Sequence, residues 1–586
     1  MPARLSTLVM FACAFGWSIG VATAAPPRGE EAPLVACTLS AKADAASYDE
    51  AMATASIQGI VNRRGPKLYV LSAANPRPKY WLDLFRKDGG WLAGRRLEEA
   101  SGLDALVKLA GDDLRGAVIW DPNVPATVNV ATTIAGVEDA VVLSPELAAA
   151  NLSRWKLKVI RDLRGMFDGK ETGSRKNDAY RWAIREYLAP GKCSNHRLFL
   201  DEDAAVTRAA GKIGDVVTRD WAVANRAFVL DLSPWGDEPP ADDTSQTLGT
   251  DLETYRMILE TVFRNAGGKE LTELSGFFAF HKYSNVPGHP SAHDPVPTEW
   301  ETVWLISPYN GYQNTVTGDC FNQSLHSQAP RKPLRQQPAA SGKPLSLSNT
   351  SYLAFFMADY DSTMPLYEIL PPRWDAPERG KLPLAWGINP NLLETYPDII
   401  AHYYATATPN DTFTSDASAA GYMNPNRIRP DQLPLFVEHN RRLFREAGMT
   451  IAPMVLDWDQ PSPAVKDAFR EFSPDGFATI VMDLHGKGGK PPAPQLWKGM
   501  PVTELISEPW DFTQSAGAAD MIHARLAKRP AGAPAFFLNR VVWVTPADVI
   551  RCVEELRKRH PEDRFELVDI RTFFRLFRED QQRRGH

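Results

Sequence analysis

Cysteine is scarce. The 586 residues hold five, and no two form a C-x-x-C pair, which excludes a zinc ribbon. Cys13 falls in an apolar leader. Cys37, Cys193, Cys320 and Cys552 are widely spaced, so one disulfide among the first three of these and a set of buried thiols remain equal alternatives. No sign of charge dominates either. The formal net charge is −6 with Lys and Arg scattered, which argues against a nucleic acid or an anionic membrane as partner. Beyond the leader no run of about 18 apolar residues occurs, so stable membrane insertion of the mature chain is not expected. No G-x-G-x-x-G follows an early strand and no G-x-S-x-G occurs anywhere, which removes support for a dinucleotide site and for a nucleophile-elbow hydrolase. A zinc-dependent deacetylase needs a spaced His pair near its Asp. His289 and His293 lie in a Pro-rich stretch of the other half of the chain, and no metal ligand is assigned.

What is present begins with a leader. Arg4, an apolar stretch over 8–21 and the A-x-A site Ala22-Thr23-Ala24 read as a signal peptide cleaved after Ala24, hence a secreted or periplasmic protein. Apolar and charged contents of 44% and 23% are those of a globular chain, and its length calls for two or three domains. Residues 25–327 alternate helix and strand as an open α/β region, with a break near 175. Within it 26–37 read as loose, and 276–280 and 299–306 as strands. Residues 328–347, rich in Pro, Gln, Ser and basic residues, read as a linker or long exposed loop.

Residues 348–586 form the second unit. It opens on SYLAFFMADYD, an apolar run that breaks into Asp359-Tyr360-Asp361, as a strand covered on both faces does where it emerges. The pattern returns in IAPMVLDWD, ending at Asp457 and Asp459, and in FATIVMDLH, ending at Asp483 and His485. Strands ending in acids and joined by helix-length segments predict an α/β fold whose C-terminal half is a (β/α) barrel-like domain of about seven or eight strands. One strand is expected to hide in 391–424.

Paired acids at strand ends suit glycoside hydrolysis, which needs two carboxyl groups across one bond. The expected pair takes one acid from Asp359/Asp361 and one from Asp457/Asp459, with Asp483 in support. Acids at such ends also cap helices or pair with arginine, and Asp-x-Asp suits a divalent cation. Rings gather nearby, and a flat amphipathic ring covers the apolar face of a sugar. Tyr360, Trp386, Asn389, Tyr422, Trp458 and His485 are the expected binding residues, with Tyr422 after Gly421 the most exposed.

The segment Ala419-Ala420-Gly421-Tyr422-Met423-Asn424-Pro425 resembles the motif of the GxGYxYP family, which is classed with the glycoside hydrolases. Ala419 and Asn424 depart from it. The surrounding Asp359-Tyr360-Asp361, Trp386-Gly387-Ile388-Asn389-Pro390 and Asn410-Asp411 are similar too, as are IQGIVNRRGPKLYVL and EWETVWLISPYNGY in the first half. The resemblance implies a two-part protein whose C-terminal half acts on carbohydrate. Two functions follow as expectations: hydrolysis of O-glycosidic bonds without a cofactor, or glycan binding by a site that has lost its chemistry.

Overall fold

The computed structural model describes residues 32–201, 208–238, 240–278, 280–283, 293–316, 318–338, 345–481, 489–507, 512–529 and 532–585. The leader, His289, Asp483 and His485 lie outside the described residues. The protein is mixed α/β, with parallel sheets throughout and a single antiparallel strand pair among the described strands.

Three sheets fill the first half. Strand β1 (Leu34–Leu39) lies between β2 (Leu68–Ser72) and β3 (Leu97–Ala100). In the second sheet β4 (Gly116–Ile119) lies between β5 (Ala140–Leu143) and β6 (Val159–Asp162). The third contains β7 (Arg197–Leu200), β8 (Phe228–Leu230), β9 (Thr272–Gly276) and β10 (Gly311–Thr315), in the order β10-β9-β7-β8. The expectation of a loose segment over 26–37 fails at β1, whose apolar LVACTL run is the centre of its sheet. The expected strand over 276–280 is also displaced. Gly276 ends β9 at φ +86, and a Cβ there would lie 1.9 Å from the Leu200 carbonyl oxygen. Residues 299–306 belong to a helix, Pro295–Ile306. It is buried on almost every side, so it lacks the polar face that separates a helix from a covered strand in sequence.

In the second half β11 (Ser351–Ala358) is the hub. It pairs with β12 (Leu384–Gly387) on one side, and β12 carries β13 (Asp411–Thr414), the strand expected within 391–424. A second sheet holds β14 (Ile451–Asp457), β15 (Gly476–Val481), the antiparallel edge strand β16 (Gln495–Trp497) and β17 (Met500–Glu504). On its other side β11 pairs with β18 (Ala535–Val542) along its whole length, and with β19 (Phe565–Leu567) at its start. A parallel bridge from Ile506 to Asn539 joins the end of the β17 segment to β18.

In the expected linker or exposed loop, the described residues 328–338 dock on the second half. Leu334 N–H donates to the Glu446 carbonyl at 3.2 Å. The Gln336 side chain serves the edge of β13: it accepts from Phe413 N–H at 2.9 Å and donates to the Phe413 and Gly448 carbonyls at 2.7 and 2.9 Å. Edge groups that a neighbouring strand would satisfy are thus met by an amide. The four described cysteines are free, buried thiols, which decides against the disulfide. Among the described residues no helix is long and apolar enough to cross a membrane.

Candidate active site

The site forms where β11 ends. Asp359 leaves the strand with φ +65, a left-handed conformation that aspartate tolerates better than most residues. Its N–H, its carbonyl and its carboxylate are each held. Its N–H donates to Asp416 Oδ2 at 2.8 Å, its carbonyl accepts from Trp543 Nε1 at 2.9 Å, and Arg540 Nη2 donates to both carboxylate oxygens at 2.6 and 2.7 Å. Arg540 reaches this position because β18 places it directly opposite Phe356 of β11, and its Nη1 donates to Ser507 Oγ at 2.9 Å.

Asp416, two residues past β13, is fully buried beneath Asp359. Its N–H donates to Asn389 Oδ1 at 2.8 Å, and a Cβ on Gly387 would stand 2.1 Å from its Oδ2. The segment Trp386-Gly387-Ile388-Asn389 is therefore shaped around a carboxyl group. Burial, then the charges of Asp361 and Asp359, push the Asp416 carboxyl well above the ordinary range.

A cavity of about 570 Å³ opens beside these groups. Asp359, Asp361, Arg540 and Trp543 line it from the second half, together with Met454 and Leu456 of β14. Phe277, which follows β9, and Val296, Glu299 and Trp300 of the Pro295–Ile306 helix line it from the first half. Positions 296, 299 and 300 share one helical face, which is what turns Glu299 into the cavity. Burial first, then Asp359, raise the Asp361 carboxyl to about 7. Burial, then Asp361 and Asp359, raise Glu299 to about 8. Three carboxyl groups thus share an apolar, ring-lined cavity with one guanidinium, and protons stay on some of them near neutrality.

Of the expected residues, Asp359 and Asp361 reach the cavity and the second pair does not. Strand alternation explains the difference: Met454 and Leu456 face the cavity, so Asp457 points to the opposite side of β14. Its carboxyl accepts from the N–H groups of Asn426 and Trp458 at 2.9 and 2.7 Å, and it shapes that loop. Burial raises it to about 6. Asp459 is exposed at the same turn. Tyr360 and Trp386 are core rings 5.9 Å apart, with Trp386 Nε1 donating to Asp411. Asn389 is an internal brace and Trp458 packs beside Trp304, away from the cavity lining.

Tyr422, expected to be the most exposed ring, is 2% exposed. Its backbone exchanges hydrogen bonds of 2.9 and 2.8 Å with Gln313 on the edge of β10. Gly421 sits at φ +103 against the Tyr312 ring, where a Cβ would lie 2.3 Å from Cδ2. The motif is a clasp between the two halves of the chain. Asn424, where the motif departs, is buried, donates its N–H to Ser307 Oγ at 2.9 Å and is not among the residues that line the cavity.

Family models match along most of the chain. The "GxGYxYP_N 1st domain" covers residues 38–108, the "GxGYxYP_N second domain" 114–191, and the "GxGYxYP putative glycoside hydrolase C-terminal domain" 349–578. The chain belongs to the GxGYxYP family. The crystal structure of a putative hydrolase from Bacteroides thetaiotaomicron is similar in fold, with a TM-score of 0.69 at 16% identity over 94% of this chain and 96% of that one. A putative polysaccharide deacetylase from Mycobacterium smegmatis reaches a TM-score of 0.26 at 13% identity, over 43% of this chain and 96% of that one, too low to carry an argument. No curated protein matches. In this GxGYxYP protein the N-terminal region and the C-terminal domain each supply part of one cavity. Glu299, Asp416 and Arg540 escaped sequence reasoning: Glu299 stood in a misread helix, Asp416 followed the short Thr-rich strand β13, and Arg540 sat inside β18 as a single charge in an apolar run.

Proposed function

We propose that this GxGYxYP protein is a secreted or periplasmic glycoside hydrolase, with Glu299 as general acid and Asp361 as the carboxylate that acts on or across from the anomeric carbon. The carrying observation is that these two carboxyl groups line one ring-lined cavity from opposite halves of the chain, with Glu299 lifted to about 8 and Asp361 to about 7. Hydrolysis needs one protonated and one ionised carboxyl, and two carboxyls both raised by burial into the neutral range, sharing one cavity, supply both there. Asp359, gripped by Arg540, fixes the loop that presents Asp361. Trp300, Phe277 and Trp543 offer faces to a sugar ring.

We also read β11–β15, β17 and β18 as one barrel-like ring of parallel strands, with the cavity at their C-terminal ends. The Ile506–Asn539 bridge supports closure on one side. On the other, Ser418 Oγ accepts from Leu456 N–H at 3.1 Å across the gap between the β13 and β14 segments.

Steady-state kinetics on glycans and aryl glycosides test the assignment. Glu299→Gln is expected to lower kcat on an unactivated substrate by about 10²–10⁴-fold, and far less on an aryl glycoside whose leaving group needs no proton. Asp361→Asn should abolish turnover of both. The pH profile should be a bell confined between about 7 and about 8. Unchanged turnover in either variant defeats the roles. A broad glycan panel that is retained on a column but never cleaved favours the binding protein instead.

A further inference from the structure

Lys and Arg are scattered in the sequence, but the fold brings several of them to one place. Residues 320–358 hold no Asp or Glu, and within them stand Arg331, Lys332 and Arg335. This stretch is pinned. Leu334 N–H donates to the Glu446 carbonyl, Gln336 serves the edge of β13, and Arg571 Nη1 donates to the Gln337 carbonyl at 3.3 Å. Leu334 is turned inward, and the three cations stay exposed.

A groove of about 590 Å³ lies between this stretch, the last turn of the Leu433–Ala447 helix and the turn that carries Leu393. Arg331, Lys332, Arg335 and Arg445 line it against a single acid, Glu446. Arg442 holds Glu446 at 3.5 Å, and it also competes with Arg331 for Glu394, at 3.0 Å against 3.4 Å. Among the described residues no carboxylate lies within 4.0 Å of Lys332, Arg335 or Arg445. A cation near a helix C-terminus is ordinary, since it meets the carbonyl end of the helix dipole. That explains Arg445. It does not explain three more cations brought up to it by a separate segment. Like charges so gathered repel one another, and an anion in the groove relieves that repulsion.

The lining also bears on what kind of anion fits. Leu334 and Leu393 give the groove an apolar floor beneath the cations, and no aromatic ring is among the described residues that line it. A nucleic-acid strand would want rings on which its bases stack. A flat bilayer would meet the rim and miss the floor. A polysaccharide that carries carboxylate or sulfate groups presents C–H faces to an apolar floor and anions to a cationic rim. The net charge of −6 does not oppose this, because a Debye length of about 8 Å lets the nearby cations outweigh distant acids. We propose that the groove binds a chain of anionic polysaccharide, with Lys332, Arg335 and Arg445 as its principal contacts. It shares no residue with the acid cavity, so its fate is independent of the hydrolase reading.

The full chain is titrated by calorimetry with size-defined oligomers of polygalacturonate and of heparin, and with an uncharged maltodextrin of equal length. At least one anionic oligomer should bind saturably and more weakly as NaCl is raised, whereas the uncharged one should not bind at the groove or compete. Lys332→Ser with Arg335→Ser should weaken binding about tenfold or more and leave the circular dichroism spectrum unchanged. Arg445→Gln should weaken it as well. Lys108→Ser with Lys158→Ser removes the same charge from exposed positions of the first half and should leave the affinity as it is. Asp361→Asn, in the cavity, should bind as the parent does. Absence of saturable binding by both anionic oligomers overturns the proposal, as do equal losses in the two double variants or a loss in Asp361→Asn. Tighter binding to phosphatidylglycerol vesicles or duplex DNA at the same salt overturns the polysaccharide assignment.

Discussion

Burial lifts the carboxyls of Asp361 and Glu299 to about 7 and about 8, whereas in an unfolded chain they titrate near 4. Between those limits the folded protein binds more protons than the unfolded one, so stability falls as pH rises from about 4 towards 8. Asp361→Asn removes one such group without changing its size. Its Tm should exceed that of the parent by a few degrees at pH 8 and match it at pH 4, as scanning calorimetry at both values will show. A variant less stable than the parent at pH 8 would mean that Asp361 is structurally paired and not poised for chemistry. The same scale shows what sequence can reveal of a site. Asp359 and Asp361 were legible because an apolar run breaking into acids marks a strand end. Asp457 carried the same mark and was misplaced, because a run covered on both faces hides which side of the strand each residue takes.

Elements meet here through side chains that replace missing ladder bonds. Gln336 satisfies the Phe413 N–H and carbonyl at the open edge of β13, and Arg571 Nη2 in turn holds Gln336 Oε1 at 2.5 Å. Gln336→Ala leaves these groups without partners and should lower stability by about 1–3 kcal/mol in urea denaturation. Gly421→Ala meets two obstacles, a positive φ and the Tyr312 ring, and should lose about 3 kcal/mol or more by the same measurement. Wild-type stability in Gly421→Ala would show that the clasp onto β10 is not needed. The order of most strands could be read from alternation and apolar runs. The Pro295–Ile306 helix could not, since a helix packed on nearly all sides shows no period, and with it Glu299 was lost to view. Polar linker composition likewise concealed that Gln336 is built into a sheet edge.

Across the whole molecule the two halves share one interior, and that governs how the protein unfolds. Trp81 of the first half packs against Tyr367 and Tyr403 of the second at 5.9 and 6.0 Å, with its Nε1 donating to the Tyr367 carbonyl at 3.1 Å. His326 Nδ1 and Asp398, also from opposite halves, meet at 2.7 Å in full burial. Trp300 and Val303 pack in one cluster with Tyr352, Ala354 and Phe356 of β11. Domains that merely touch unfold in separate steps, whereas a common apolar core makes them lose order together. Calorimetry of the full chain should therefore give a single cooperative transition. Trp81→Ala, which removes a fully buried indole from that shared interior, should lower the stability of the whole transition by about 3–5 kcal/mol without splitting it. Two resolved transitions in the parent, or a variant in which only one half melts early, would refute the common core. They would also weaken the active-site reading, because Glu299 can face Asp361 only while both halves remain joined.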